Sequence, residues 1–491
     1  MSGEKKKISP SLIISVIIII VLLAALVYYA TLPPKVEVVP TTIVQTALRT
    51  ETLPGTTIVR TEEKTIVQTV PITPTPTERP KLRVWFRTVF VEPINTYMKS
   101  KVFEWASKNN VEVEFAFFPV DELMKKLVSA VEAGNPPDVA WGAGHWAVGL
   151  FAENPKSRWL LPLDDVIDAL NRSDISERVL KVTSISGTIY GVTTHVETNA
   201  ILIRKDLLEN AGIKVNFDMW TWSEFADIAK KLTEYYKDKG IYGTGITLGK
   251  CPDGTNNFVS ILHNFGGGLQ KGRSSKEIIF DSPATYEAIK LIVDLYKSGA
   301  MPKEVIGWRD PDNNRAYIGG KVASVINPAS IMYDLKTTYP ELYANTLLVP
   351  VPRGPGPDHV TFGGVQALYV FKTTKYPELA KDLVKFILEN KDEYLKSYVL
   401  PSIGYAVPPF LSIAEKLPKD LPEWRYVKKF VEMGTYNYPL GEPTAVYSEF
   451  HGKYLIGDLY SKVILEGKSI EDAIKELHNT LVEIAKSVYG E

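Results

Sequence analysis

Two tryptophans and a histidine stand among glycines in the stretch DVAWGAGHWAVG, which runs from Asp138 to Gly149. An indole ring stacks on the apolar C–H face of a pyranose, and an imidazole exchanges hydrogen bonds with sugar hydroxyls. The three residues follow a short apolar run that predicts a strand, and open α/β sheets place their ligands just beyond the carboxyl ends of strands. Trp141, His145 and Trp146 are therefore predicted to contact a carbohydrate.

Signatures of covalent chemistry are scarce. The chain has no G-x-S-x-G, H-E-x-x-H, Walker or G-x-G-x-x-G motif. The segment DPDNNRAYIGGK resembles the start of a calcium loop at Asp310, Asp312 and Asn314, but Arg315 stands where such a loop needs glycine and Lys321 where it needs glutamate. We interpret the segment as the entry to a helix. No catalytic residue, metal site or cofactor is predicted.

The composition argues against a nucleic-acid partner and against cysteine-based sites. The 491 residues carry a formal net charge of -1 and are 45% hydrophobic and 23% charged, which suits a large globular core and offers no basic surface to a nucleic acid. Cys251 is the single cysteine. A disulfide framework and a cysteine-rich zinc site are therefore both excluded.

The N-terminal residues predict a membrane anchor. Lysines at positions 5–7 precede an uncharged stretch from Leu12 to Leu32, which has the length of about 20 residues that a spanning helix needs. Residues 33–80 are rich in Thr, Val and Pro and loosely repeat the motif TTIVQT, which favours an extended stalk. We expect a single-pass protein of the cell membrane whose globular part, from Lys81 onward, is extracellular.

The globular part alternates strand and helix signals. Strands are predicted at KLRVWF from Lys81 and at VEVEFAFF, with a helix over 94–107 between them. Helix starts are predicted at Asp121, at Thr221 with a capping-box glutamate three residues later, and at Ser282 before a proline. Such alternation over about 400 residues predicts two α/β domains, with a parallel sheet in the first.

Nine segments in a fixed order carry a family resemblance. Between Pro136 and Pro408 they are PPDVAWGAG, LLPLDD, IYGVTTHVETNAILIRKDLLENAGI, TWSEFADIAKKL, LIVDLYKSGAMP, GGKVASVI, VPVPRGPGP, FGGVQALYVFKTTKYPELAKDLVKFIL and GYAVP. On these segments the region from Lys81 to Glu491 resembles the extracellular solute-binding proteins of ABC importers, in the group that includes maltose-binding protein. The resemblance implies a type II periplasmic-binding-protein fold, in which two α/β lobes close on a ligand about a hinge.

The resemblance also implies how the chain is divided between the lobes. The three crossings between lobes would lie near 195–198, 349–352 and 401–406. Lobe one would comprise 81–195 with 353–400, and lobe two 196–352 with 401–491.

Contact residues follow from the same resemblance. Glu197 matches an acidic hinge residue that accepts hydrogen bonds from sugar hydroxyls in maltose-type receptors, and Trp141 and His145 match a contact loop of lobe one. Asn199, two places after Glu197, and Gly364, in the segment that begins FGG, are taken as further contacts.

One family feature is missing. Sugar receptors of this group often carry GPW after the GK-A segment, whereas this chain has NPAS from Asn327, so the stacking tryptophan expected there is absent. Asn327 itself is taken as a contact. Trp308, Tyr333 or Tyr436 would supply the missing ring face.

We therefore expect a membrane-tethered, monomeric receptor that captures a mono- or oligosaccharide and presents it to an ABC permease without covalent chemistry. The resemblance also implies an archaeal type of receptor, in which an N-terminal helix anchors the protein in the membrane. Three alternatives stay open: the same fold binding a polyamine, metal or phosphate; a surface carbohydrate-active enzyme with Glu197 and Asp310 as its carboxylates; and a sensory or adhesive surface protein. The aromatic, neutral pocket predicted here argues against the first alternative.

Overall fold

The computed structural model of the protein describes residues 37–53, 56–72, 79–153, 158–197, 199–362, 364–426, 434–435 and 440–491. The chain divides into two units, residues 1–79 and residues 80–491. In the described part of the chain, none of the helices combines the length and the hydropathy of a membrane span. The predicted span from Leu12 to Leu32 lies outside the described residues.

Two long strands make up the described part of the first unit. Strand β1 (Glu37–Leu53) and strand β2 (Thr56–Ile72) pair antiparallel along their whole length. Threonine, valine and isoleucine favour this extended backbone. The composition predicted extended chain in this region, but it did not predict that the two halves would pair, and the role of a stalk stays a prediction.

The second unit alternates strands and helices. Its strands are β3 (Lys81–Arg87), β4 (Glu112–Phe118), β5 (Val139–Ala143), β6 (Ser184–Ile185), β7 (Thr188–Ile189), β8 (Val192–Val196), β9 (Asn199–Arg204), β10 (Ser324–Pro328), β11 (Thr346–Pro350), β12 (Thr361–Phe362), β13 (Val365–Val370) and β14 (Gly434–Thr435). Its helices are α1 (Glu92–Asn109), α2 (Val120–Glu132), α3 (Gly144–Ala152), α4 (Asp164–Ala169), α5 (Glu177–Val182), α6 (Lys205–Asn210), α7 (Trp222–Tyr235), α8 (Pro252–Asn264), α9 (Pro283–Lys297), α10 (Asp310–Ile318), α11 (Ile331–Thr338), α12 (Pro340–Ala344), α13 (Pro377–Glu389), α14 (Lys391–Tyr394), α15 (Leu411–Ala414), α16 (Ala445–Gly452), α17 (Leu455–Ile464) and α18 (Ile470–Tyr489).

A mixed five-stranded sheet forms the first layer. Its strand order is β4-β3-β5-β13-β8, with β3 parallel to β4 and β5, and β13 antiparallel to β5 and β8. Helices α1, α3 and α13 pack on this sheet. Strands β5, β8 and β13 are buried at every position, whereas β3 and the edge strand β4 keep partly exposed residues. The predicted parallel arrangement is confirmed for the three N-terminal strands, whereas β13 enters from much later in the chain and runs the other way.

A second, antiparallel sheet has the order β10-β9-β11. Helices α8 and α10 pack against it. The chain leaves the first sheet at the end of β8, enters the second at β9, and returns between β11 and β13. These changes of sheet lie near two of the expected crossings. The lobe boundaries themselves stay predictions.

The helix starts follow local sequence signals. The backbone N–H of Glu224 donates to Thr221 Oγ1 at 3.2 Å, and that of Thr221 donates to Glu224 Oε2 at 2.8 Å, which confirms the capping box before α7. Ser282 caps α9, as predicted. The segment DPDNNRAYI forms α10, so its interpretation as a helix entry is also confirmed.

One predicted cap is wrong. Helix α2 begins at Val120, directly after Pro119, whose backbone is extended with φ at -53°. Asp121, expected before the helix, therefore lies within its first turn. The helix begins two residues earlier than the aspartate suggested, because the ring of Pro119 fixes φ at a value that suits the entry to a helix.

Candidate functional site

A small cavity of ≈ 50 Å³ lies between the strand ends of the first sheet and helices that pack on the second. On one side are Arg87 at the end of β3, Ala143 at the end of β5, and Gln366 of β13. On the other side, the first turns of α8 and α10 contribute Asp253 and Asp310. Ligands of open α/β folds bind at the carboxyl ends of strands, so we take this cavity as the candidate site.

Glu197 forms the base of the cavity. Its Oε1 lies 3.4 Å from Arg87 Nη1 and 3.7 Å from His195 Nε2, and it accepts a hydrogen bond from the hydroxyl of Tyr405. Burial alone would raise the pKa of Glu197, but the charge of Arg87, the neighbouring His195 imidazole and the hydrogen bond from Tyr405 together lower it to about 2. The base of the site is therefore a buried carboxylate ion paired with a buried guanidinium.

A glycine keeps the cavity open above this carboxylate. The carbonyl of Gly364 accepts a hydrogen bond from the backbone N–H of Glu197 at 2.7 Å. A Cβ atom at position 364 would stand 3.3 Å from Glu197 Oε2 and 3.4 Å from His145 Cε1. Any larger side chain at Gly364 would therefore fill the space into which a ligand must reach.

Two aspartates stand on the opposite wall. Asp310 Oδ1 accepts a hydrogen bond from the backbone N–H of Asp253 at 3.1 Å, and Asp253 Oδ2 accepts one from Asn313 Nδ2 at 2.8 Å. Burial first, and then the neighbouring charge of Asp310, raise the pKa of Asp253 well above its ordinary value. This wall therefore carries two carboxyl side chains, whereas the sequence predicted a neutral pocket.

Neutral groups complete the lining. Asn327 Nδ2 donates to Asn314 Oδ1 at 2.6 Å, and Ser330 Oγ donates to Asn327 Oδ1 at 3.2 Å. Burial lowers the pKa of His145 to about 3 and that of His451 to about 4. Both histidines are therefore uncharged imidazoles near neutral pH, suited to hydrogen bonding rather than to ion pairing.

The structure places some of the predicted contact residues on this cavity and others elsewhere. On the cavity wall are His145, Glu197, Asn327 and Gly364. Outside the lining are Trp141, Trp146, Asn199, Trp308 and Tyr333. Tyr436 lies outside the described residues.

The placement of Trp141 corrects an expectation. The sequence suggested that this residue follows a strand, but β5 continues to Ala143, so Trp141 lies within the strand. Its side chain is fully buried, packs edge-on against Phe86 with ring centroids 5.7 Å apart, and donates from Nε1 to Thr194 Oγ1 at 2.9 Å. The indole is a core group whose single polar atom is satisfied internally.

The other four predicted contacts that lie outside the lining also pack or form hydrogen bonds within the protein. Trp146 is 2% exposed and packs against Phe151. The ring of Trp308 occupies the space that a Cβ atom at Gly245 would need, at 2.8 Å from such an atom. Asn199 Nδ2 donates to Asn257 Oδ1 at 3.2 Å, and Tyr333 lies on α11, away from the cavity.

Several residues of the cavity were not identified as contacts by sequence reasoning. They are Arg87, Phe90, Asp253, Gln366, Tyr405 and His451. Two of them carried a usable signal: Arg87 directly follows the first predicted strand, and Tyr405 belongs to the quoted segment GYAVP. The other four residues reach the cavity through contacts between distant parts of the chain, which no local pattern indicates.

An ion pair joins the first layer to the second. Glu153 follows α3, which packs on the first sheet, and Arg273 lies in the loop after α8, which packs on the second. Arg273 Nε lies 2.6 Å from Glu153 Oε1, and its Nη2 lies 2.7 Å from Glu442 Oε2. The second oxygen of Glu153 accepts a hydrogen bond from the backbone N–H of Ala445, the first residue of α16.

The sequence profile of bacterial extracellular solute-binding proteins matches residues 101–427, about two thirds of the chain. The chain belongs to this family. The resemblance stated from the nine segments is thereby confirmed at the level of the family, which is one of binding proteins rather than enzymes.

Individual relatives of this solute-binding protein are distant in sequence. A maltodextrin-binding protein of Bacillus subtilis (strain 168) is 24% identical over 311 residues, covering 62% of this chain and 69% of the relative. A protein of Brucella abortus (strain 2308) is 22% identical over 371 residues, covering 72% of this chain and 87% of the relative.

The fold is shared with solved solute-binding proteins. An ABC transporter solute-binding protein of Thermotoga lettingae, bound with α-D-tagatose, matches at a TM-score of 0.71 and 23% identity, over 83% of this chain and 100% of that one. The expected type II periplasmic-binding-protein fold is confirmed by this likeness.

The ion pair at the base of the cavity generates a prediction about stability. We expect Glu197→Gln to lower the free energy of unfolding at pH 7 by about 3–5 kcal/mol, because it leaves the buried Arg87 guanidinium without its carboxylate. The pKa of Glu197 falls from 4.5 to about 2 on folding. The contribution of the ionised Glu197 to the free energy of unfolding is therefore complete above pH 4.5 and is lost as the pH falls toward 2.

Thermal unfolding of both proteins between pH 7 and pH 3 measures this effect. The stability difference between the wild type and Glu197→Gln should shrink as the pH falls below 4.5. Glu466→Gln, which neutralises an exposed glutamate, is the control and should follow the wild type. A difference that stays constant down to pH 3 would show that Glu197 is not a buried ion.

Proposed function

We propose that this solute-binding protein captures a mono- or oligosaccharide outside the cell and delivers it to the permease subunits of an ABC importer. The cavity carries the proposal, because its polar lining combines Asn, Gln, Asp, Glu and His side chains. These are the groups that exchange hydrogen bonds with sugar hydroxyls. Family membership, and relatives whose ligands are maltodextrin and tagatose, support the same class of solute.

The stacking surface in this proposal is a phenylalanine rather than a tryptophan. Phe90, just beyond β3, lines the cavity and is 48% exposed. A ring of this size held at the surface of a polar cavity suits the apolar C–H face of a sugar. Phe90 thus takes the part that the sequence had given to Trp141.

Closure of two lobes around the sugar forms the second part of the proposal. The ion pair of Glu153 and Arg273 joins the two layers, and the side chain of Glu153 is 4% exposed. An interaction made only when the lobes are shut stabilises the closed state and, through it, the bound ligand. We therefore assign Arg273 a role in closure.

The N-terminal residues complete the proposal. The uncharged stretch from Leu12 to Leu32 would anchor the protein in the cell membrane, and residues 33–80 would hold the binding unit away from the surface, as in tethered archaeal receptors. We expect the full chain in the membrane fraction of expressing cells and a variant lacking residues 1–32 in the soluble fraction. Recovery of the full chain as a soluble protein would contradict the anchor.

Calorimetric titration of the purified protein against a panel of sugars tests the capture of a carbohydrate. At least one sugar should give saturable 1:1 binding, and Gln366→Leu, which removes a buried acceptor from the cavity, should weaken it about tenfold. Trp141→Phe should leave the affinity unchanged while lowering the stability by about 1 kcal/mol, because it removes a core hydrogen bond.

Spermidine, iron and phosphate serve as controls in the same titrations. A response to one of these, with silence across the sugars, would contradict the proposal and favour another solute. Sugar recovered unchanged after long incubation is expected of a binding protein, whereas its cleavage would favour the carbohydrate-active enzyme.

The closure contact gives a separate prediction. Arg273→Ala should weaken binding of the same sugar by about tenfold without touching the cavity, because it removes the partner of a buried carboxylate only in the closed state. Small-angle scattering of the sugar-saturated and sugar-free protein measures closure directly. Lys290→Ala, which breaks an exposed ion pair on α9, is the matched control; equal effects of the two variants would remove the role of Arg273.

A further inference from the structure

We propose that the sugar bound in this cavity carries a protonated amine, which the wall formed by Asp253 and Asp310 recognises. The inference rests on the proposed capture of a carbohydrate and names the class of sugar. It is carried by the charges, the contacts and the hydrogen-bonding character of the described residues that line the cavity.

The charges of the lining favour a cation. Among the described residues of the cavity wall, Arg87 is the one permanent cation, and Glu197, Asp253 and Asp310 are carboxylates. Arg87 is already paired with Glu197 at 3.4 Å. The side-chain hydrogen bond to Asp253 comes from the neutral amide of Asn313 at 2.8 Å. The wall opposite Arg87 therefore presents two carboxyl groups to the ligand.

The environment of Asp253 also favours a cationic ligand. Asp253 is 9% exposed, and its backbone N–H is bonded to a second carboxylate, that of Asp310. Burial and the charge of Asp310 raise the pKa of Asp253, while the more distant Arg87 lowers it less. A buried acid of this kind is held as an ion when a cation stands beside it. A ligand ammonium would supply that cation.

Two further groups of the cavity lining offer acceptors to the ligand. Gln366 Oε1 and His451 Nδ1 have no hydrogen-bond partner among the described residues, and their side chains are 1% and 3% exposed. His451 Nε2 lies 3.0 Å from Asn256 Oδ1, which assigns the ring hydrogen to Nε2 and leaves Nδ1 as an acceptor. An ammonium brings three N–H donors and no acceptor, which complements such a lining.

A metal ion fits these residues less well. In the described part of the chain, no three His, Cys, Asp or Glu side chains are grouped closely enough to hold one. Two carboxylates with neutral amide and imidazole acceptors suit a singly charged organic cation, whose hydrogen bonds are strengthened by its charge. The sugar ring attached to that cation would face Phe90 and the amides of Asn314 and Asn327.

Matched sugars that differ at one position test the inference. The full-length protein is titrated with glucosamine, galactosamine, mannosamine and the β-1,4-linked glucosamine dimer, each beside its N-acetyl form and its parent sugar without nitrogen. At least one amine should bind about 10- to 100-fold more tightly than both of its neutral counterparts, as expected for a hydrogen-bonded charge pair. In Asp253→Asn this preference should fall about tenfold or more.

Two further variants keep the test decisive. Asp310→Asn should reduce the preference as well, and it replaces Asp253→Asn if that variant does not fold. Asp312→Asn, in the first turn of α10 but outside the cavity lining, should leave the preference unchanged. Neutral sugars that bind as tightly as the amines, or an equal loss for amine and neutral sugar in Asp253→Asn, would overturn the inference and leave capture of a sugar intact. Binding of spermidine with silence across all sugars would overturn both.

Discussion

The buried ion pair of Arg87 and Glu197 is the interaction on which the site depends. Arg87 ends β3, whereas Glu197 lies where the chain leaves the first sheet for the second. The backbone N–H of Glu197 donates to Gly364, and the hydroxyl of Tyr405 donates to its carboxylate. Because a buried charge is tolerated only with partners in good geometry, this one carboxylate requires three distant parts of the chain to meet at one point.

The electrostatics of the cavity follow from that constraint. Arg87 is paired with Glu197, and burial keeps the imidazoles of His145 and His451 neutral, so the positive charge of the described lining lies at Glu197. The cavity thus has a neutralised base, two uncharged imidazoles and an acidic opposite wall. Such a lining suits the proposed recognition of a ligand through the hydrogen-bond donors that the ligand brings.

The success and failure of sequence reasoning have separate causes. The capping box at Thr221, the cap at Ser282 and the helix from Asp310 were predictable because each depends on residues within one turn of the chain. Trp141 was misplaced because the predicted strand ended too early: β5 continues to Ala143, and a side chain within a strand faces the layers packed on the sheet rather than the loop beyond it. Its burial is set by Phe86 and Thr194, which lie on other strands.

The sequence by itself determined the α/β class, the family and the order of the segments, and it predicted Glu197, His145, Asn327 and Gly364 as contacts, which the structure places on the cavity wall. Local propensity and ordered motifs suffice for these, because they are properties of contiguous chain. Only the tertiary structure decided that the cavity is acidic, that Phe90 supplies its ring, and that Asp253, Gln366 and His451 meet there. Burial and pairing of charges arise between residues far apart in the chain, and no local pattern encodes them.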